Sequence, residues 1–285
     1  MPAILLDGKQ LAQRVLADLA PRVEILKSRG IVPKLTVVRV GDDPASKVYI
    51  RAKIRACEQA GVLGDELELP ASTLQGEVID CLDRLNSDAQ VHGILVQLPL
   101  PRAIDQHAIA AHIAPDKDVD GLNLCNLGRL VQGDAILPPC TPAGVLRLLD
   151  SYRVDLRGKH AVVVGRSEIV GKPMALLLIQ RDATVSVCNS KTPDLASFAR
   201  SADVLVVAVG RAGLVRADMV KAGAAVVDVG VNRLPDGKLA GDVDAAVAGV
   251  AGYLTPVPGG VGPMTVAMLI ENTVKAAERI APGVA

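Results

Sequence analysis

The sequence predicts an α/β protein of two three-layer domains, each a mostly parallel sheet with helices on both faces. Three observations predict it. Helical and strand periodicities alternate along the chain, which is the pattern of βαβ units. Strands in the second half are short runs apolar on both faces, such as Ala161–Val164 and Ala225–Val229, as a doubly covered parallel strand requires. A length of 285 residues is long for one domain and comfortable for two.

The elements follow in order. Helical periodicity covers Lys9–Ser28, and an apolar β-rich run covers Leu35–Val40. Gly41-Asp42-Asp43-Pro44 then opens a helix, with Asp43 as N-cap and Pro44 at the first helical position. Gly61 ends it as a C-cap. A strand near Glu66–Leu69, a helix near Leu74–Asn86 and a strand Val91–Leu98 complete the first half. Residues 114–142 are rich in Pro, Gly, Asp and Asn and read as an interdomain loop. A helix near Ala143–Tyr152 leads to strands at Ala161–Val164, Thr184–Val187, Val204–Val209 and Ala225–Val229. A Pro/Gly loop, Thr255–Pro263, precedes a last helix, Met264–Arg279. The expected domains are 1–120 with 265–285, and 121–264.

Composition excludes several classes. Acidic and basic residues balance at 31 each, so no charge excess points to nucleic acid or an anionic membrane. Aromatics are nearly absent, which removes the stacking surface of a single-strand binder. No stretch of about eighteen apolar residues runs uncharged, and the N-terminus lacks the pattern of a signal peptide. The five cysteines form no CxxC pair and sit at no metal-ligand spacing. They read as reduced, mainly buried thiols of a cytoplasmic protein, and no metal is expected.

The segment Val163-Val164-Gly165-Arg166-Ser167-Glu168-Ile169-Val170-Gly171 leads from a strand into a helix. It departs from GxGxxG: Ser167 stands at the second glycine, and the closing glycine comes one position late. Gly165 can still make the tight turn, and helix-start N–H groups can face a pyrophosphate. An ordinary βα turn would look similar, but the flanking strands favour a Rossmann-like dinucleotide site. The next strand ends Cys188-Asn189-Ser190-Lys191-Thr192 without the acid that binds a ribose 2′-hydroxyl. A hydroxyl and a cation suit a 2′-phosphate, and Arg166 can reach the same group. The cofactor is therefore expected to be NADP rather than NAD.

In the first half, Tyr49 and Lys53 lie four apart on one helical face. Hydroxyl beside ammonium can manage protons, although the pair alone fits a snorkelling lysine on an amphipathic helix better. Gln97 is the one polar residue ending the apolar run Gly93–Leu98, at the strand end where ligands bind in α/β sheets. Asp120, in Pro115-Asp116-Lys117-Asp118-Val119-Asp120-Gly121, can accept paired hydrogen bonds from an amidine-like group. The loop Pro256-Val257-Pro258-Gly259-Gly260-Val261-Gly262-Pro263-Met264-Thr265 offers bare backbone to a flat ligand, with the Thr265 hydroxyl behind it.

These pieces together resemble the bifunctional methylenetetrahydrofolate dehydrogenase/cyclohydrolases, called FolD in bacteria. The resemblance rests on YIRAK (Tyr49–Lys53), GILVQLPLP (Gly93–Pro101), PDKDVDGL (Pro115–Leu122), TPAGVLRLL (Thr141–Leu149), VVGRSEIVGKP (Val163–Pro173) and PVPGGVGPMT (Pro256–Thr265). It implies NADP-dependent oxidation of 5,10-methylenetetrahydrofolate, then hydrolysis to 10-formyltetrahydrofolate, within one-carbon metabolism and purine biosynthesis. It implies that Lys53 is the central catalytic residue, that Tyr49 and Gln97 tune it, and that Asp120 grips the pterin. Gly262, Pro263 and Thr265 would line the folate pocket. Gly165, Arg166, Ser167, Ser190 and Val231 would contact NADP. The family's active-site cleft lies between the domains, and members are cytoplasmic homodimers. Two positions depart from the family: Asn189 stands where His is common, and Leu124 where a proline usually follows the Asn123 position. A monofunctional or NAD-dependent dehydrogenase is the alternative.

Overall fold

The computed structural model describes residues 2–280. The chain opens with β1 (Ile4–Leu5), α1 (Gly8–Ser28) and β2 (Lys34–Val40), then α2 (Pro44–Ala60) and β3 (Leu63–Leu69). Next come α3 (Gln75–Ser87), β4 (Gly93–Val96), α4 (Gln106–His112), α5 (Leu124–Gln132) and α6 (Cys140–Ser151). β5 (His160–Val164), α7 (Gly171–Ile179), β6 (Thr184–Cys188), α8 (Leu195–Ser201), β7 (Val204–Val207) and β8 (Ala225–Asp228) follow. The strands β9 (Asn232–Arg233), β10 (Leu239–Ala240) and β11 (Tyr253–Leu254) precede α9 (Val261–Ile280).

Two compact units divide the chain: Met1–Ala12 with Thr141–Thr265, and Gln13–Cys140 with Val266–Ala285. This division differs from the expected boundaries at residues 1–12 and 121–140. The first difference has a direct cause: β1 pairs in parallel with β11, Ile4 opposite Tyr253, and so belongs to the large sheet. The second arises because Asn272 of α9 holds Val119 and Pro138 by their carbonyls, at 2.9 and 3.0 Å.

The unit of residues 13–140 and 266–285 carries a three-stranded parallel sheet ordered β3-β2-β4. Val38, Val40, Ile94, Val78, Leu82 and Ile109 pack its core. Asp43 caps α2 as the sequence predicts, accepting from Ser46 N at 2.7 Å, and Gly61 ends the helix in the left-handed region. The segment read as an interdomain loop contains α5. Its N-cap is Asn123, accepting from Cys125 N at 2.8 Å, and its C-cap is Gly133. Leu124 therefore occupies the first helical position, where proline is favoured but not required. Asn123 and Gly133 of that stretch are thus helix caps.

The unit of residues 1–12 and 141–265 carries a six-stranded sheet ordered β1-β11-β8-β7-β5-β6, with every pairing parallel. Val162, Val164, Leu205, Val207 and Val226 are almost fully buried and form its core. Burying each such valine stabilises the fold by roughly 1.5–3 kcal/mol. Because β5 to β8 are parallel, the segments leaving their C-terminal ends emerge at one edge. α9 begins at Val261, three residues before the expected Met264, so the Gly-rich loop is shorter than the sequence indicated.

Candidate active site

In the unit of the three-stranded sheet, α2, β4 and the stretch after α4 bring three predicted residues together. Lys53 Nζ donates to Gln97 Oε1 at 2.7 Å. Gln97 follows the end of β4, and its Nε2 donates to the Leu98 carbonyl at 2.7 Å, which fixes which end of the amide faces the lysine. Asp120 is brought alongside by a parallel bridge between Ile94 and Asp118. The bridge needs Gly93, because a Cβ there would come within 2.9 Å of Val119 Cγ1. Burial holds the Lys53 ammonium below the usual lysine range, against the opposing pull of Asp120. Burial raises the Asp120 carboxyl, and Lys53 counters it. Tyr49 lies one turn before Lys53 and is 55% exposed, open to a ligand.

Sequence reasoning missed the shell around Asp120. Cys140 is buried, its Sγ donating to the Val119 carbonyl at 3.2 Å. Burial and the Asp120 charge raise its thiol pKa well above the ordinary value, so it stays protonated. Asp118 accepts from Asn123 N at 2.7 Å and Asn126 Nδ2 at 2.9 Å. The signal was the acidic run itself, in which Asp118 serves the fold and Asp120 faces Lys53.

In the unit of the six-stranded sheet, Gly165, Arg166 and Ser167 follow β5, Ser190 follows β6, and Val231 follows β8, all at the C-terminal edge. Gly165 adopts φ +127°, and a Cβ there would sit 2.3 Å from the Ala208 carbonyl oxygen. At Gly171 a Cβ would meet the Gly165 oxygen at 2.3 Å. The two glycines therefore permit a turn too tight for any side chain. Ser167, which replaces a glycine, uses its Oγ to accept from Val170 N and Gly171 N at 3.2 and 3.3 Å. It caps α7 from the position of the missing glycine. Arg166, Ser190, Lys191 and Val231 are exposed. The cradle and its cation-and-hydroxyl donor set fit a phosphorylated dinucleotide. Asn189 Oδ1 accepts from Lys191 N at 3.0 Å and so shapes the turn.

Gly262 and Pro263 lie in the first turn of α9, and Thr265 follows one turn on. The Thr265 hydroxyl is already engaged, 2.9 Å from Thr141 Oγ1 and 3.3 Å from the Val261 carbonyl. Gly262 is exposed, and a Cβ there would meet nothing within 4 Å.

Two family models match the chain. The tetrahydrofolate dehydrogenase/cyclohydrolase catalytic domain covers residues 6–120, and the NAD(P)-binding domain of the same enzymes covers residues 139–281. The chain belongs to the tetrahydrofolate dehydrogenase/cyclohydrolase family. A bifunctional protein FolD from Bordetella bronchiseptica is 54% identical over 99% of this chain and 100% of its own. The bifunctional FolD of Campylobacter jejuni has a crystal structure matching with a TM-score of 0.96 at 49% identity, over 98% of this chain and 99% of that one. The Trypanosoma brucei enzyme, complexed with NADP cofactor and inhibitor, matches with a TM-score of 0.94 at 40% identity, over 99% and 100%. Membership explains the division of labour between the units: the catalytic-domain model ends at Asp120, and the NAD(P)-binding model spans the Gly165 turn.

Proposed function

We propose that this chain oxidises 5,10-methylenetetrahydrofolate with NADP⁺ and then hydrolyses the methenyl product to 10-formyltetrahydrofolate. The observation that carries the reading is the Lys53–Gln97 hydrogen bond at 2.7 Å beside Asp120. NADP⁺, when bound, supplies the hydride acceptor. Gly165 and Ser167 hold its pyrophosphate, Arg166 and Ser190 its 2′-phosphate side, and Val231 its other half. The chain's part in the oxidation is positioning, which hydride transfer needs more than acid–base groups.

Hydrolysis needs a proton acceptor. Water oxygen bonds the methenyl carbon and gives one proton to the neutral amine of Lys53. The bond from that carbon to N5 then breaks, and N5 takes the second proton. Lys53 releases its proton to solvent, so one proton is produced per turnover. Its lowered pKa makes the neutral amine more available than that of an ordinary lysine. Gln97 aims the amine, Tyr49 closes the outer side, and Asp120 accepts two hydrogen bonds from the pterin. Gly262 offers unobstructed backbone to the flat folate, with Pro263 and Thr265 beside it. The protein acts as a cytoplasmic homodimer in one-carbon metabolism and purine biosynthesis, without a nucleic-acid or membrane partner. No helix among the described residues is long and apolar enough to cross a membrane.

The test is a spectrophotometric assay of purified protein with methylenetetrahydrofolate and each dinucleotide. Methenyl absorbance rises with NADP⁺ and then decays to the formyl product. Reduction of NAD⁺ alone, or a methenyl product that decays no faster than in buffer, overturns the reading.

A further inference from the structure

The C-terminal edge of the large sheet holds two buried carboxylates that neither reaction uses. Asp242 is 0% exposed and Asp228 is 3% exposed. Oδ2 of Asp242 accepts from Val209 N at 2.7 Å and Gly210 N at 2.9 Å. Its Oδ1 accepts from Arg211 N at 2.7 Å and from Asn232 Nδ2 at 2.9 Å. One carboxylate thus joins the loop after β7 to the loop after β8. Asp228 in turn accepts from Asp242 N, Val243 N and Gly230 N, at 2.9, 2.9 and 3.1 Å. Two glycines make room for this cluster. A Cβ on Gly230 would lie 2.1 Å from Asp242 Cγ, and one on Gly241 would lie 1.8 Å from Asp228 Oδ2.

Val231 sits between two residues that Asp242 touches. Gly230 packs against the carboxyl group and Asn232 donates to it, while Val231 itself is 49% exposed. The sheet order gives this position a meaning. β6 lies on one side of β5, while β7 and β8 lie on the other. In a parallel sheet of this kind the adenosine half of a dinucleotide lies over the strand after the Gly-rich turn, and the pyrophosphate over the turn. The reacting half must then lie over the ends of β7 and β8.

We propose that Asp242 is a positioning residue for hydride transfer: it locks the loops 209–211 and 230–232 into one platform and so presents the Val231 backbone to the nicotinamide half of the cofactor. The inference rests on the reading of Val231 as a cofactor contact. Asp242 touches no reacting atom and acts through the backbone that it holds. A carboxylate suits the task because each oxygen accepts two hydrogen bonds. An amide in its place would turn N–H groups toward N–H donors.

The experiment compares Asp242→Asn, Asn232→Ala and Val231→Asp with the unaltered protein. Each is measured for NADP⁺ affinity by calorimetry, for amide hydrogen exchange at 209–211, and for hydrolysis of supplied methenyltetrahydrofolate. Asp242→Asn is expected to weaken NADP⁺ binding by about tenfold or more, since several bonds to a charged group are lost. It is also expected to speed exchange at 209–211 and to leave hydrolysis within about twofold, because Lys53, Gln97 and Asp120 belong to the other unit. Asn232→Ala removes one of the four donors and should give a smaller loss in the same direction. Unchanged affinity in a folded Asp242→Asn protein overturns the proposal. If that variant does not fold, unchanged affinity in Asn232→Ala overturns it instead. Val231→Asp separates the two readings. If it leaves affinity intact, the cofactor contact at Val231 is wrong and the proposal falls with it. If it weakens binding while Asp242→Asn does not, the proposal alone is wrong.

Discussion

Lys53 shows how much a single side chain owes to its neighbours. On a bare amphipathic helix it would be a solvated cation. Burial holds its pKa below the lysine range, and the Gln97 bond fixes where its nitrogen points. Lys53→Met keeps the length and removes the nitrogen. Hydrolysis of methenyltetrahydrofolate should fall by roughly 10²–10⁴-fold, while calorimetric NADP⁺ affinity stays unchanged. The pH dependence follows from the same geometry. In the proposed mechanism the working form is the neutral amine, so hydrolysis should rise with pH and level off below the normal lysine range. Asp120 favours the charged ammonium, so Asp120→Asn lowers the lysine pKa further. The rising limb of the rate profile should therefore move to lower pH, whatever the loss in folate affinity. A limb that stays in place would detach Asp120 from Lys53. At this scale the sequence singled out Gln97, because a polar residue ending an apolar run is conspicuous, whereas Lys53 on its helix read as well as a snorkelling side chain and gained its meaning from the resemblance. Cys140, Asn272 and Asp118 were silent. Their roles depend on segments far apart in sequence meeting around Asp120.

At the scale of elements, the βα turn at Gly165 carries the cofactor assignment. Its fingerprint was legible although irregular, because the strand before it and the helix after it were. What could not be read was the reason for the irregularity, which is that Ser167 caps α7 with its own hydroxyl. Gly165→Ala puts a methyl group 2.3 Å from the Ala208 oxygen at a φ of +127°. Such a clash must move the turn, so NADP⁺ affinity should fall by at least about tenfold, with methenyl hydrolysis preserved. Equal affinity in calorimetry would show that the turn is no phosphate cradle. Short strands and helices were the least legible elements. β1, β11 and α5 have few residues to display a period, and their existence depends on pairing partners and caps supplied from elsewhere.

For the whole molecule, the parallel α/β architecture was readable from apolar runs alone, since doubly buried strands admit few polar residues. The division into units was legible only in part, because it depends on which sheet the first residues join. Stability carries a pH signature from the unit of the six-stranded sheet. Burial raises the Asp228 carboxyl to about 6 from an ordinary 3.8. The folded state therefore binds a proton that the unfolded chain has released between those values. This group's contribution is full below about pH 4 and is lost as pH rises through 6. The loss is on the order of 3 kcal/mol if no other bond compensates. Urea unfolding of Asp228→Asn, compared with the unaltered protein from pH 4 to pH 7, should remove that part of the slope. Parallel curves for the two proteins would mean that its backbone N–H partners keep Asp228 ionised throughout.

Asn272 has a consequence for how the protein is made. It lies near the end of the chain, yet its amide ties together Val119 and Pro138 on either side of Asp120. Thr273, its neighbour, packs within 3.0 Å of the position that a Cβ on Gly93 would take. A ribosome synthesises residues 266–280 only after residues 141–265. The nascent catalytic unit must therefore wait without its Asn272 contacts while residues 141–265 are translated. Chaperone demand should be concentrated on that interval, and a stop codon before Asn272 should release a chain whose larger sheet is fully encoded and whose Asp120 segment lacks its clasp.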